Sequence, residues 1–174
     1  MMISAKIDTL LLIQFILYHL LWVLSAYLIP RQKNRVLYSA CLVIIVLQVI
    51  VVTIDLPKPI SFAISVMVLS AVGIGIDTIF TRLGWFRFNP TPSYIIPLWL
   101  CFIWLSFALS MQYLILFFPG KFYVWAILGA IGFPLSYYVA QKLKVFSVPR
   151  PWSAYGFQGL FWLIFLPIIL LINH

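Results

Sequence analysis

Six apolar runs, each long enough to cross a hydrocarbon core of about 30 Å, follow one another along this chain. They extend from Asp8 to Ile29, Val36 to Ile54, Ile60 to Thr81, Ile95 to Phe118, Phe122 to Gln141 and Ala154 to Ile172. Pro30, Pro57 and Pro59, Pro90 and Pro92, Pro119 with Gly120, and Pro149 and Pro151 all fall between the runs, where a helix stops. Only 8% of the 174 residues are charged, against about 25% in a soluble domain. A compact soluble chain of this length would still expose roughly 30% of its unfolded surface, so water cannot be the solvent for these runs. Lipid offers the backbone no hydrogen-bond partners, which leaves helices as the way for each run to satisfy itself. The prediction is an all-α, polytopic transmembrane bundle of about six spans, forming a single integral-membrane domain over residues 1–174. The first run lacks a small-x-small cleavage site and ends at Pro30-Arg31, so it reads as a retained helix.

The net charge of +8 does not indicate nucleic acid, because the basic residues are spread singly or in small groups between apolar runs. That distribution marks cytoplasmic loops. The first, third and fifth connections carry Arg31, Lys33, Arg35, Arg82, Arg87, Lys142, Lys144 and Arg150, whereas the other side carries Lys6, Lys58 and Lys121. Both termini are therefore predicted outside, with the basic loops against anionic headgroups. Trp85, Tyr94, Tyr123, Trp125 and Trp152 lie near predicted helix ends, the level at which amphipathic rings prefer to sit. Small residues gather in the third run (Ser65, Ser70, Ala71, Gly73, Gly75) and the fifth (Gly129, Ala130, Gly132, Ser136), which predicts that these two helices pack centrally. No inverted repeat is evident, since nothing in the sixth run matches Asp77. Pro134 and Pro167 fall inside runs and read as bends.

Asp77 is the one carboxylate well inside an apolar run. Ionisable groups in a span usually serve a site or a pathway. On a helix it lies roughly 7 Å from the cytoplasmic end, with Gly73 and Thr81 on its face and Ser25, Trp99 and Ser136 at similar depth on other helices. This predicts a polar layer opening toward the cytoplasm. Arg82, Lys142, Lys144 or a ligand could each partner the acid, and Arg82 only if the helix ends near Thr81, because i+5 is about 140° away around the axis. His19, with Gln14, Tyr18 and Trp22 around it, lies about 9 Å from Asp77 in depth, too far for a direct acid–base pair. It reads as a neutral ring bonded to another helix. Cys41 and Cys101 sit in apolar runs with no ligand spacing around them and read as structural thiols. No metal or cofactor motif is present, nor a hydrolase or nucleotide fingerprint. With three carboxylates in all and two of them predicted on the opposite side, a two-carboxylate mechanism lacks its residues.

Several motifs resemble a bacterial membrane family, domain of unknown function 2878. They are Gly73-x-x-x-Asp77 followed by Arg82-Leu83-Gly84-Trp85-Phe86-x-Phe88; Pro97-Leu98-Trp99-Leu100 with Trp104 and Phe107-Ala108; and Gly129-Ala130-Ile131-Gly132-x-Pro134-Leu135-Ser136-Tyr137. Tyr18-His19-Leu20-Leu21-Trp22 is similar to that family's amino-terminal Phe-Gln-x-Gly-Trp, departing at His19 and Leu21. Phe133 replaces a second glycine, and Gln141-Lys142 departs from the small residues that follow. The resemblance implies a small inner-membrane protein with no assigned reaction, whose genes lie near lipid-modifying ones such as cyclopropane-type methyltransferases. It carries Asp77, Arg82, Gly84, Trp99, Pro134, Ser136 and Tyr137 as motif positions.

The function expected is binding, or helping to modify, a lipid or other apolar molecule at the polar layer around Asp77. Asp77, Arg82, Trp99, Ser136 and Tyr137 are the candidate contacts, and Ser25, His19 and Trp22 are secondary. Membrane lipid is the expected partner, with a lipid-modifying enzyme or a second copy as the protein partner. A small transporter or proton-coupled carrier, with Asp77 titrating, is the second reading. A structural subunit of a lipid-enzyme complex is the third.

Overall fold

The computed structural model places six α-helices where the apolar runs lie: α1 Met2–Leu28, α2 Asn34–Thr53, α3 Pro59–Arg82, α4 Leu98–Phe117, α5 Phe122–Lys142 and α6 Pro151–Ile172. It describes residues 2–53, 59–88, 96–117 and 121–172. Asp55, Pro57, Lys58, Pro90, Pro92, Tyr94, Pro119 and Gly120 lie outside the described residues, as do the side chains of Lys6 and Asp8. Helix α6 begins three residues before its apolar run, since Pro151 fits the first helical position, where a missing N–H is no loss. Five helices are long and apolar enough to span a membrane within their described residues, and Leu98–Gln112 of α4 is a shorter apolar helix. Polar and apolar residues are distributed as lipid requires: Ile60 and Met67 are 75% and 70% exposed, whereas Gln14, Gln48, Asp77 and Gln158 are fully enclosed. The chain is a multi-pass membrane protein.

The helices form two compact units, Met1–Ile74 with Leu98–Pro119, and Gly75–Pro97 with Gly120–His174. In the first, α1, α2 and α4 pack on one another around a closed ring of hydrogen bonds. Gln14 Nε2 of α1 donates to the Gln48 carbonyl of α2 at 2.9 Å. Gln48 Nε2 donates to the Ser106 carbonyl at 3.2 Å and to Ser110 Oγ of α4 at 2.9 Å. Ser110 Oγ returns to the Gln14 carbonyl at 2.9 Å. Each helix thus gives one side-chain donor to the next helix's backbone, and in lipid such bonds hold helices that hydrophobicity cannot. Gly73 of α3 belongs to this unit as well and receives the Trp104 ring of α4.

In the second unit α5 and α6 form a tight antiparallel pair. A Cβ built on Gly129 would fall 2.6 Å from the Trp162 carbonyl, and one on Gly159 would fall 2.9 Å from the Ala130 carbonyl. Pro134 has no N–H to give that Ala130 carbonyl, and Gly159 fills the space beside it. The Phe133 and Trp162 rings stack at 4.2 Å, and Tyr155 Oη donates to Gln141 Oε1 at 2.6 Å. These contacts show what the small residues of the third and fifth runs admit. Gly73 takes a tryptophan ring, Gly129 takes the α6 backbone, and Gly75 and Gly132 meet nothing within 4 Å. A glycine helps where a large side chain or a carbonyl has to be admitted, and bulky Trp104 and Trp162 decide where that is. Trp152 and Tyr123 are 92% and 67% exposed, as rings at an interface should be, but Trp125 is buried.

Candidate functional site

The ends of α3 and α5 are built alike, and this positions the site. Gly84, at φ +70°, stops α3; its N–H donates to Thr81 O and that of Trp85 to Phe80 O, at 3.0 and 2.9 Å. This bond pair ends a helix through one left-handed residue, usually glycine because glycine has no Cβ to clash. The Trp85 ring packs on Phe80 at 5.1 Å, the apolar contact that accompanies such an end. Lys144, at φ +61°, stops α5 the same way, with its N–H on Gln141 O and that of Val145 on Ala140 O. Three residues beyond each left-handed position the two segments meet, Arg87 and Ser147 exchanging both backbone bonds at 2.9 Å. The two helix ends are thereby held level, so residues equally far back along α3 and α5 stand opposite each other.

Asp77 and Tyr137 are those residues, each seven positions before its left-handed turn. The Tyr137 hydroxyl donates to Asp77 Oδ2, and Asp77 is wholly buried. An aromatic shell covers the pair. The Phe86 ring stacks on Tyr137 at 5.0 Å, and Phe146 stands edge-on to both, at 5.3 and 5.6 Å. Phe80 and Phe88 extend the shell, at 5.5 Å from Phe86 and 5.2 Å from Phe146. Excluding water strengthens each polar contact inside. A carboxyl and a phenol in such a place can hold a polar group between them or pass a proton.

The structure brings together Asp77 and Tyr137 among the sequence-predicted residues. Arg82 closes α3 and is exposed. Ser136 donates its hydroxyl to the Phe133 carbonyl of its own helix at 2.8 Å. Trp99, Ser25, His19 and Trp22 belong to the first unit. Trp99 is buried and Trp22 half-buried. Ser25 is buried, its hydroxyl without a hydrogen-bond partner among the described residues, and it stands seven positions before the left-handed Gln32 after α1. His19 is exposed, and its Nδ1 lies 2.8 Å from the Phe15 carbonyl, so its partner is in its own helix and not in a neighbouring one. Lys142, an expected candidate for pairing with Asp77, places its ammonium 5.2 Å from the Tyr138 ring.

Sequence reasoning places Gln14 only as a neighbour of His19 and misses Gln48 and Gln158. Gln14, Gln48 and Gln158 are as enclosed as Asp77, and Gln158 has neither Nε2 nor Oε1 hydrogen-bonded among the described residues. Their signal was an uncharged polar residue in the middle of an apolar run, which in lipid demands a partner as a charge does.

No curated protein and no solved structure matches the chain. A family profile described as a protein of unknown function, DUF2878, matches residues 11–168. That span takes in α2 to α5 whole, most of α1 and α6, and both residues of the buried pair, and the chain belongs to the DUF2878 family.

Proposed function

We propose that this protein binds, or helps to modify, a lipid-like amphiphile whose polar head meets the Asp77–Tyr137 pair, from the cytoplasmic side of a bacterial inner membrane. The observation that carries this reading is a fully enclosed carboxyl bonded to a tyrosine hydroxyl within a shell of phenylalanine rings. An acid in a span costs about 2.5–3.5 kcal/mol on insertion scales, and a buried polar pair is often no more stabilising than apolar residues of the same volume. Pinning α3 to α5 therefore gives little reason for this chemistry, whereas recognising a polar head gives one. The aromatic shell supplies the apolar wall that the adjoining chain of an amphiphile needs. Entry requires the two covering segments to part, and they are joined by the two backbone bonds between Arg87 and Ser147. Arg82, exposed at the end of α3, suits the rim where headgroups lie. The basic connections support the cytoplasmic placement.

Lipid composition tests this. Cells lacking the protein are expected to show an altered membrane lipid profile, restored by the wild type but not by Asp77→Asn present at equal abundance. Profiles unchanged across growth conditions would overturn the proposal.

A further inference from the structure

The polar groups enclosed in the second unit suggest what kind of head the site takes. Gln158 stands on the buried stripe of α6, between Ala154 and Trp162, which are themselves fully enclosed. The register of the α5–α6 pair fixes its level. Gln141 meets Tyr155 at one point and Phe133 meets Trp162 at another. Between these contacts, Gln158 falls on the stretch of α6 that packs along Phe133 to Gln141 of α5, the stretch that carries Tyr137. An amide that is fully enclosed with neither polar atom paired among the described residues is destabilising unless something brings it a donor and an acceptor together.

We infer that Gln158 completes the Asp77–Tyr137 site and that the head it reads is uncharged and bears a free hydroxyl, as in a diacylglycerol. This rests on the proposal that the pair binds an amphiphile. The amide offers Nε2 as donor and Oε1 as acceptor side by side. A free hydroxyl beside an ester carbonyl, or beside a second hydroxyl, answers both. A phosphate does not fit, for it brings acceptors and negative charge and is ordinarily met by cations or helix N-termini. The enclosed groups are a carboxyl, a phenol and an amide, while Arg82, Arg87, Lys142, Lys144 and Arg150 are all exposed.

The test uses the purified full chain in nanodiscs, with diacylglycerol or with phosphatidic acid of the same acyl chains. Binding is read by native mass spectrometry and by the shift in unfolding midpoint. Wild type is expected to retain diacylglycerol at least about tenfold more strongly than phosphatidic acid, and Gln158→Leu to lose about tenfold of that binding. Gln158→Leu should also unfold at a higher temperature than wild type without lipid, because it removes two unpaired buried atoms, so lost binding cannot be lost folding. Unchanged diacylglycerol binding by Gln158→Leu would overturn the role of Gln158. Equal binding of phosphatidic acid, abolished by Asp77→Asn, would overturn the uncharged head while keeping the amphiphile site. Binding of neither lipid in an Asp77-dependent way would overturn both.

Discussion

Replacing Gly73 with alanine is expected to destabilise the protein by about 2–3 kcal/mol, the upper part of the usual range for overpacking. The added Cβ would fall 2.2 Å from the Trp104 ring. Trp104 is 3% exposed and its ring already meets Phe107 edge-on at 5.7 Å, so it has little freedom to give way. The comparison is Gly75→Ala, half a turn along the same helix, where nothing lies within 4 Å. That change should be neutral or stabilising by up to about 1 kcal/mol through helix propensity alone. Unfolding in mixed micelles, run on both variants side by side, checks the pair. Equal effects would show that the Trp104 contact is not the reason for glycine at 73.

Tyr137→Phe should be the most damaging change that leaves shape intact. It removes one oxygen and deprives a fully buried carboxyl of a donor. Taking a hydrogen-bond donor from a buried carboxyl costs about 1–3 kcal/mol, more if it is charged. Asp77→Leu takes away the demanding group altogether and should cost less on folding than Tyr137→Phe, although it abolishes the site. Combining the two gives the coupling directly. In the Asp77→Leu background, Tyr137→Phe should cost clearly less than it does alone. Additive effects would mean that the two residues do not depend on each other.

The helices were legible because the bilayer leaves few choices. A 20-residue apolar run ended by proline has one way to satisfy its backbone, and the six helices follow the runs to within three residues except at the start of α1. The partner of Asp77 was harder to read. Depth alone picked Ser136 on α5, one residue from Tyr137. One residue on a helix is 100° of rotation, enough to turn a side chain from the acid back to its own carbonyl, as Ser136 is turned to Phe133. The correct register depends on the left-handed turn at Lys144, where no glycine announces it, in contrast to Gly84. For the same reason the likeness between the ends of α3 and α5 escapes a search for repeats: it resides in backbone angles that glutamine, glycine and lysine all adopt in this chain, at Gln32, Gly84 and Lys144. Charge singles out Asp77 in its run, whereas Gln14, Gln48 and Gln158 carry none and differ from their neighbours only in hydrogen-bonding need.

A density map of the protein in lipid nanodiscs, with a bound fiducial for its size, tests the central claim most directly. Elongated density is expected, its head within hydrogen-bond reach of Asp77 and Tyr137 and its tail along the Phe86 and Phe146 rings. Lipid density confined to the outer apolar faces, with the aromatic shell closed over an Asp77–Tyr137 pair that meets no ligand, would contradict it.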